Sequence, residues 1–379
     1  MSWSYRITNV AGIPIRVHVT FFLILLLGAY QWYGMLGTLG AAAFGAALML
    51  LLFLCVVLHE LGHSLVAQAY GIPVREIVLL PLGGVAQMTK HPERPAHELL
   101  IALAGPLVNV LIAALLLLPL GFRAGPMLLT DHGLLPAGVG DEPSLRTAIT
   151  WLFAANVSLV LFNLIPAFPL DGGRALRALL AMSMGPRAAT RAAASIGQLL
   201  AVLLGVYGVL NSHFVLTLVA VFIFFGAGQE TAEADAKTVL KTLRVGDAYN
   251  KHALSLAVGD RLSRVVDFLL TSYQPDFAVL QGSRLIGIVT RAHVLAALEA
   301  HPGDVFVTAI MQREVPRVEA ARSLDEVQLA MQQANSRVVA VYEGSRFLGL
   351  VAREDIGEAL AVQTFVQRQR QRREASSPA

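Results

Sequence analysis

Residues Gly34–His63 read GMLGTLGAAAFGAALMLLLFLCVVLHELGH, and this stretch decides the fold. No charge occurs from Gly34 to Leu58, a run long enough to cross the hydrocarbon of a bilayer, which needs about 20 apolar residues. It ends on His59-Glu60-Leu61-Gly62-His63. On a helix the two histidines are i and i+4, so both imidazoles leave one face and can close on one metal ion, zinc above all. Glu60 lies beside them, placed to take a proton from a water that the metal activates. Independent draws from this composition would give His-Glu-x-x-His about 0.01 times, so chance is a poor explanation. A carboxylate between two histidines at membrane depth costs several kcal/mol if unpaired, and it needs a functional reason.

Working outward, charge divides the chain. Residues 1–228 carry 19 Asp, Glu, Lys and Arg and residues 229–379 carry the other 36, so a membrane part precedes a water-exposed part, with the boundary near Gly226 to Glu233. Apolar segments at roughly 18–36, 39–68, 98–120, 148–170 continuing to about 182, 194–211 and 213–228 predict about six spans. Residues 1–17 show no cleavage site behind a short apolar core, so the first span is expected to be retained. One side of the membrane collects Arg6, Arg16, Arg75, Lys90, Arg94, Arg174, Arg177, Arg187 and Arg191, against Arg123 and Arg146 on the other. The positive-inside rule then places both termini and the soluble part in the cytoplasm of a multi-pass membrane protein, expected in a prokaryotic cell membrane. The net charge of +3 is not gathered on a folded basic module, which argues against nucleic acid as a partner. The single cysteine, Cys55, excludes an internal disulfide and reads as a buried apolar thiol more than as a fourth ligand.

Two histidines do not complete a catalytic zinc site, which usually has three protein ligands and an open position. At span depth or span ends the remaining ionisable candidates are His18, Glu98, Asp171 and His213. Asp171 stands in an unusual context, Asn163-Leu-Ile-Pro-Ala-Phe-Pro-Leu-Asp171-Gly-Gly-Arg174. Pro166 and Pro169 remove helix donors and Gly172-Gly173 permits a turn, and such irregular backbone is tolerated at membrane depth only where it lines a cavity or is buried in protein. An Asp before a helix also caps helices, so a purely structural Asp171 stays open on these grounds alone.

HELGH in one span and NLIPAFPLDGGR in a later one resemble the two signature motifs of the site-two protease family of intramembrane zinc metalloproteases. The resemblance implies His59, His63 and Asp171 as ligands of one Zn(2+) per chain, Glu60 as general base, and Asn163 as a residue that orients substrate or stabilises the developing oxyanion. It implies proteolysis of a single-span membrane protein, such as an anti-sigma factor, in or near its transmembrane segment. Residues 72–90, with Pro81-Leu-Gly83-Gly84, read as a short membrane-associated hairpin whose edge could hold an unwound substrate. Ala104-Gly105-Pro106-Leu-Val-Asn109 matches a further family motif and equally fits a small-residue packing seam.

Beyond residue 228 the chain repeats itself. Residues 256–298 align with 318–360 at a constant offset of 62, with Gly282/Gly344, Arg284/Arg346, Gly287/Gly349 and Arg291/Arg353 among identical pairs. Each copy shows a helix, a short apolar strand, a Gly turn, a second strand and a helix. This resembles a pair of cystathionine-β-synthase-type (CBS) domains, which implies a regulatory α/β module that takes an adenine nucleotide or joins two copies as a homodimer. Neither copy holds both the hydroxyl and the Asp of the usual nucleotide pattern: Thr290 comes from one and Asp355 from the other. The expected architecture is a polytopic α-helical membrane domain over 1–228, a linker over 229–243, CBS domains over 244–300 and 306–361, and a basic, disordered tail over 362–379. A second reading from another class, a CBS-gated transporter or channel with Asp171 on a cation path, gives Glu60 no purpose.

Overall fold

A computed structural model describes residues 3–376 apart from Leu82, His91, Glu93, 122–126, 131–132, 137–141, Tyr273 and 301–302. Arg123 and the side chains of the tail arginines Arg368, Arg370, Arg372 and Arg373 lie outside the described set. The chain forms two compact units, Met1–Ala232 and Glu233–Ala379.

The first unit opens on a hairpin, β1 (Ser4–Val10) and β2 (Ile13–His18), so residues 1–17 are more than a lead into the first span and His18 ends a strand. The turn residues Ala11 and Gly12 both have positive φ, 51° and 80°, the twist that a two-residue hairpin requires. Ile13, Ile15 and Val17 alternate inward and are at most 5% exposed. Helices α1 (Phe21–Leu36) and α2 (Leu39–Ala69) follow, then the expected hairpin, β3 (Val74–Leu80) and β4 (Gly83–Met88). The four strands make one sheet in sequence order, antiparallel except for β2 beside β3. Its inner face packs Ile13, Ile15, Ile77 and Leu79 against Phe21, Phe53, Leu61 and Ile101 from the helices. That packing sets β4 beside the His59–His63 end of α2.

The remaining elements of this unit are α3 (Pro95–Leu117), a short hairpin of β5 (Met127–Thr130) and β6 (Gly133–Pro136), α4 (Leu145–Asn163), α5 (Asp171–Ala181), α6 (Pro186–Leu210) and the first part of α7 (Phe214–Thr242), whose residues from Glu233 belong to the second unit. Five of these helices, α2, α3, α4, α6 and α7, are long and apolar enough to cross a membrane. The first expected span is shorter: α1 has 16 residues and packs on α2 where Gly28 and Gly45 let the two backbones touch. The predicted continuation of the fourth span is the separate helix α5. No Gly or Pro interrupts Gln229–Thr242, so the predicted linker is the helical end of α7.

In the second unit the offset of 62 recurs in every element. The pairs are α8 (Val245–Ala248) with α11 (Val307–Ile310), β7 (Ser255–Ala257) with β10 (Arg317–Glu319), and α9 (Leu262–Thr271) with α12 (Leu324–Gln333). Likewise β8 (Asp276–Gln281) matches β11 (Val338–Glu343), β9 (Arg284–Thr290) matches β12 (Arg346–Ala352), and α10 (Arg291–Ala300) matches α13 (Arg353–Ser376). Each copy is a three-stranded sheet with a parallel first pair and an antiparallel second pair. The lead-in segments are exchanged: Leu240 and Val245 fill the core of the second copy, whereas Val305 and Val307 fill the core of the first. The boundaries 244–300 and 306–361 therefore divide the sequence but not the cores. The expected tail over 362–376 follows on in α13, in a stretch without Gly or Pro.

Burial pushes the Asp276 carboxyl up from 3.8 to about 6, with Glu354 and Asp355 adding to the effect and Arg337 opposing it. The unfolded chain ionises this group first as pH rises, so the stability cost is absent below about pH 4 and complete above about pH 6. Asp276→Asn is expected to raise the unfolding temperature of the second unit at pH 7.5 and to leave it unchanged at pH 4. Thermal unfolding of both proteins at the two pH values checks this, and an equal shift at both would refute it.

Candidate metal centre

Inside hydrocarbon a helix must satisfy its own backbone, and α2 does so without interruption through His59 and His63. Their i, i+4 spacing turns both rings to one face, with centroids 4.7 Å apart. The two Nε2 atoms lie 3.1 Å apart, and Asp171 Oδ2 lies 3.2 Å from His59 Nε2 and 3.1 Å from His63 Nε2. Both histidines are 7% exposed.

Asp171 reaches this point because the chain between α4 and α5 leaves the helix. Ala167 and Phe168 are fully buried there, and the peptide before Pro169 is cis. Gly172 and Gly173 serve close approach and not a left-handed turn: a Cβ on either would fall 2.3 Å from Ile165 O or 2.5 Å from the Ala167 carbonyl carbon. Gly197 of α6 meets Ala167, and Gly226 of α7 meets Pro169. Arg177 Nε donates to Glu98 Oε1 at 2.6 Å, its Nη1 stands 3.7 Å from Glu230, and its guanidinium lies over the Phe168 ring. Asp171 is the first residue of α5, and its Oδ2 lies against both histidines.

The donor set tests the metal. His59 Nδ1 faces Asn109 Oδ1 at 2.6 Å, and His63 Nδ1 faces the Ile101 carbonyl at 2.6 Å. Both oxygens are acceptors, so each Nδ1 carries the proton and each Nε2 presents a lone pair. Two lone pairs and a carboxylate oxygen within 3.2 Å repel one another unless a cation lies among them. Ligand atoms on a tetrahedral zinc lie roughly 3.3 Å apart, so this triangle fits that ion. Among the described residues it is the one such cluster.

Glu60 follows His59 on α2 and stands against β4, where a Cβ on Gly84 would lie 2.4 Å from Glu60 Cγ. Strand β4 has β3 on one side and, among the described residues, no strand on the other. Asn163 is the last residue of α4, half-buried, and forms no side-chain hydrogen bond among the described residues. Cys55 is buried outside the triangle. In the soluble unit Thr290 Oγ1 accepts from His293 N at 3.3 Å, and Asp355 Oδ2 accepts from Ala352 N at 2.7 Å, each capping its own helix.

Sequence reasoning underweighted Gly105 and Asn109, both in the Ala104–Asn109 motif. A Cβ on Gly105 would lie 2.2 Å from His63 Nε2 and 2.7 Å from His59 Nε2, so this glycine forms the wall of the metal position. Gly105→Ala favours the helix by propensity yet must displace a histidine ring. It is expected to leave the protein folded and to abolish tight zinc binding, measured as metal content after dialysis; full zinc retention would show that the ring positions are wrong.

The model of peptidase family M50 matches residues 47–134 and 124–204, and the CBS-domain model matches residues 307–362. A zinc metalloprotease of Methanocaldococcus jannaschii is 33% identical over 364 residues, covering 96% of this chain and 97% of its own. Stage IV sporulation protein FB of Bacillus subtilis is 29% identical over 157 residues, 41% of this chain and 47% of its own. Among solved structures, the site-2 protease from Methanocaldococcus jannaschii shares 40% identity over 60% of this chain and 95% of that one, with a TM-score of 0.43. The relative that is 33% identical across nearly the whole of both sequences shows that the chain belongs to peptidase family M50, the site-two zinc metalloproteases of membranes, here with a C-terminal CBS module.

Proposed function

We propose that this enzyme cuts a single-span membrane protein, of the anti-sigma-factor kind, in or near its transmembrane segment, at a site open to the cytoplasm. One observation carries the reading: the unpaired edge strand β4 passes Glu60 at Gly84, beside the converging His59, His63 and Asp171. A peptide bond within a helix is shielded by its intrahelical hydrogen bonds, so the substrate must unwind before attack. The free edge of β4 holds the unwound segment by strand addition and lays its backbone across Glu60. His59, His63 and Asp171 would hold the ion, and a zinc there would supply the Lewis acidity for a scissile carbonyl and an attacking water. Glu60 takes the proton of that water and passes it to the leaving nitrogen. Asn163, whose amide has no partner among the described residues, orients the substrate or stabilises the developing oxyanion.

The CBS module regulates this site in our reading and contributes no chemistry to it. An adenine nucleotide is the ligand assigned to it, with Thr290 and Asp355 as contacts from different copies. Asp276 pairs with Thr290 across the β8–β9 ladder, and Glu354 and Asp355 act on its carboxyl. Negative charge at that corner opposes a polyphosphate. Calorimetry on the full-length protein is expected to rank AMP above ADP and ADP above ATP; tightest binding by ATP, or none by all three, refutes the assignment.

Glu60→Gln keeps the shape of the side chain but cannot accept a proton, so it is expected to retain zinc and lose proteolysis. Asp171→Ala is expected to lose zinc first. Zinc stoichiometry of the purified variants separates the roles. Membrane proteomes of cells carrying wild type or Glu60→Gln should differ by a single-span protein that accumulates at full length, and normal turnover of all such proteins would defeat the proposal.

A further inference from the structure

A buried asparagine on α4 extends the metal centre. Asn156 is fully buried, as is Asn109, and its Nδ2 donates to the Leu152 carbonyl at 2.8 Å and approaches Cys55 Sγ at 3.4 Å. A backbone carbonyl can only accept, so this bond fixes which end of the Asn156 amide is the donor. Its Oδ1 then faces Asn109 Nδ2 at 2.9 Å, and that bond in turn fixes the amide of Asn109. Asn109 is left with Oδ1 toward His59 Nδ1 at 2.6 Å. His63 receives the same instruction in one step, from the Ile101 carbonyl at 2.6 Å.

We infer that Asn156 is a positioning residue for the metal centre: through Asn109 it keeps the proton of His59 on Nδ1 and leaves the Nε2 lone pair for the ion. The inference rests on the ligand assignment above. A flipped Asn109 amide would set its NH2 against His59 Nδ1, moving the proton to Nε2, which stands 3.1 Å from His63 Nε2 and 3.2 Å from Asp171. The same flip would bring two acceptor oxygens together, Asn109 Oδ1 on Asn156 Oδ1, and Asn156 thereby forbids it. Outer partners of metal-bound histidines typically change metal affinity by about 10–100-fold.

The test uses the full-length protein in detergent, with its zinc dissociation constant measured by chelator competition and the unfolding temperature of the metal-free form recorded beside it. Asn156→Leu is expected to weaken zinc roughly 10–100-fold. Adding Asn109→Asp to that variant is expected to restore most of the affinity, because both oxygens of a carboxylate accept and neither end is wrong. Cys55→Ala, a mild change that spares the Leu152 anchor, is expected to bind zinc as the wild type does. If Asn156→Leu does not fold, Asn156→Ser carries the same comparison. Wild-type affinity in the Asn156 variants, no recovery in the double variant, or a large loss in Cys55→Ala overturns the inference and leaves Asn156 a packing residue. Failure of the wild type itself to bind zinc counts against the ligand assignment instead.

Discussion

A peptide group in hydrocarbon has no water to bond with, so chain that leaves the helix at membrane depth must be enclosed by protein. The stretch from Leu164 to Leu170 is such chain, and much of the membrane unit is arranged around it. Ala167 and Phe168 are sealed in by the small residues of α6 and α7, with Gly197 and Gly226 allowing backbone and Pro169 to come within contact distance. Gly172 and Gly173 let α5 start directly beneath it. The irregular stretch is what places Asp171 beside α2; a continuous helix through this segment would hold the carboxylate on its own axis, away from the two histidines.

Charge inside the same layer is handled by pairing. Arg177 lies against Glu98 and Glu230, so α3, α5 and α7 are tied through the middle of α5. The metal cluster is the opposite case, because with both Nδ1 atoms protonated its three ligand atoms converge as lone pairs that a cation would hold together. Each histidine is locked through its far nitrogen, one by a carbonyl of α3 and the other by Asn109. The four-stranded sheet completes the arrangement by burying Ile77 and Leu79 while leaving the outer edge of β4 free beside Glu60.

In the soluble unit the two copies do not stand alone. Each lacks a piece of its core that the lead-in of the other supplies: Val245 hydrogen-bonds through its N to the Arg322 carbonyl, and Val307 through its N to the Asp260 carbonyl. A third apolar cluster joins them directly, with Ile288 of one packed among Val338, Ala340 and Leu350 of the other. The repeats are therefore stabilised as a pair.

Much of this was legible in the chain. Long uncharged runs fix helices at membrane depth because only a self-bonded backbone is stable there, and i, i+4 spacing alone brings His59 and His63 together. The breakers at Pro166 and Pro169 mark the irregular stretch, and the constant offset of 62 carries the second unit element by element. Elsewhere the sequence was silent. That α1 is short, that residues 4–18 are strands, and that Gly105 and Gly84 stand against the histidines and Glu60 depend on contacts between segments far apart in the chain. A glycine or a lone asparagine in an apolar span has the same local signature whether it faces lipid, a neighbouring helix or a ligand. Local periodicity determined which segments are helices and which residues share a face; only the packing of α3 and α4 against α2 decided that Asn109 and Asn156 point at His59, because a side chain's partner is set by the helix it meets and not by its own neighbours in sequence.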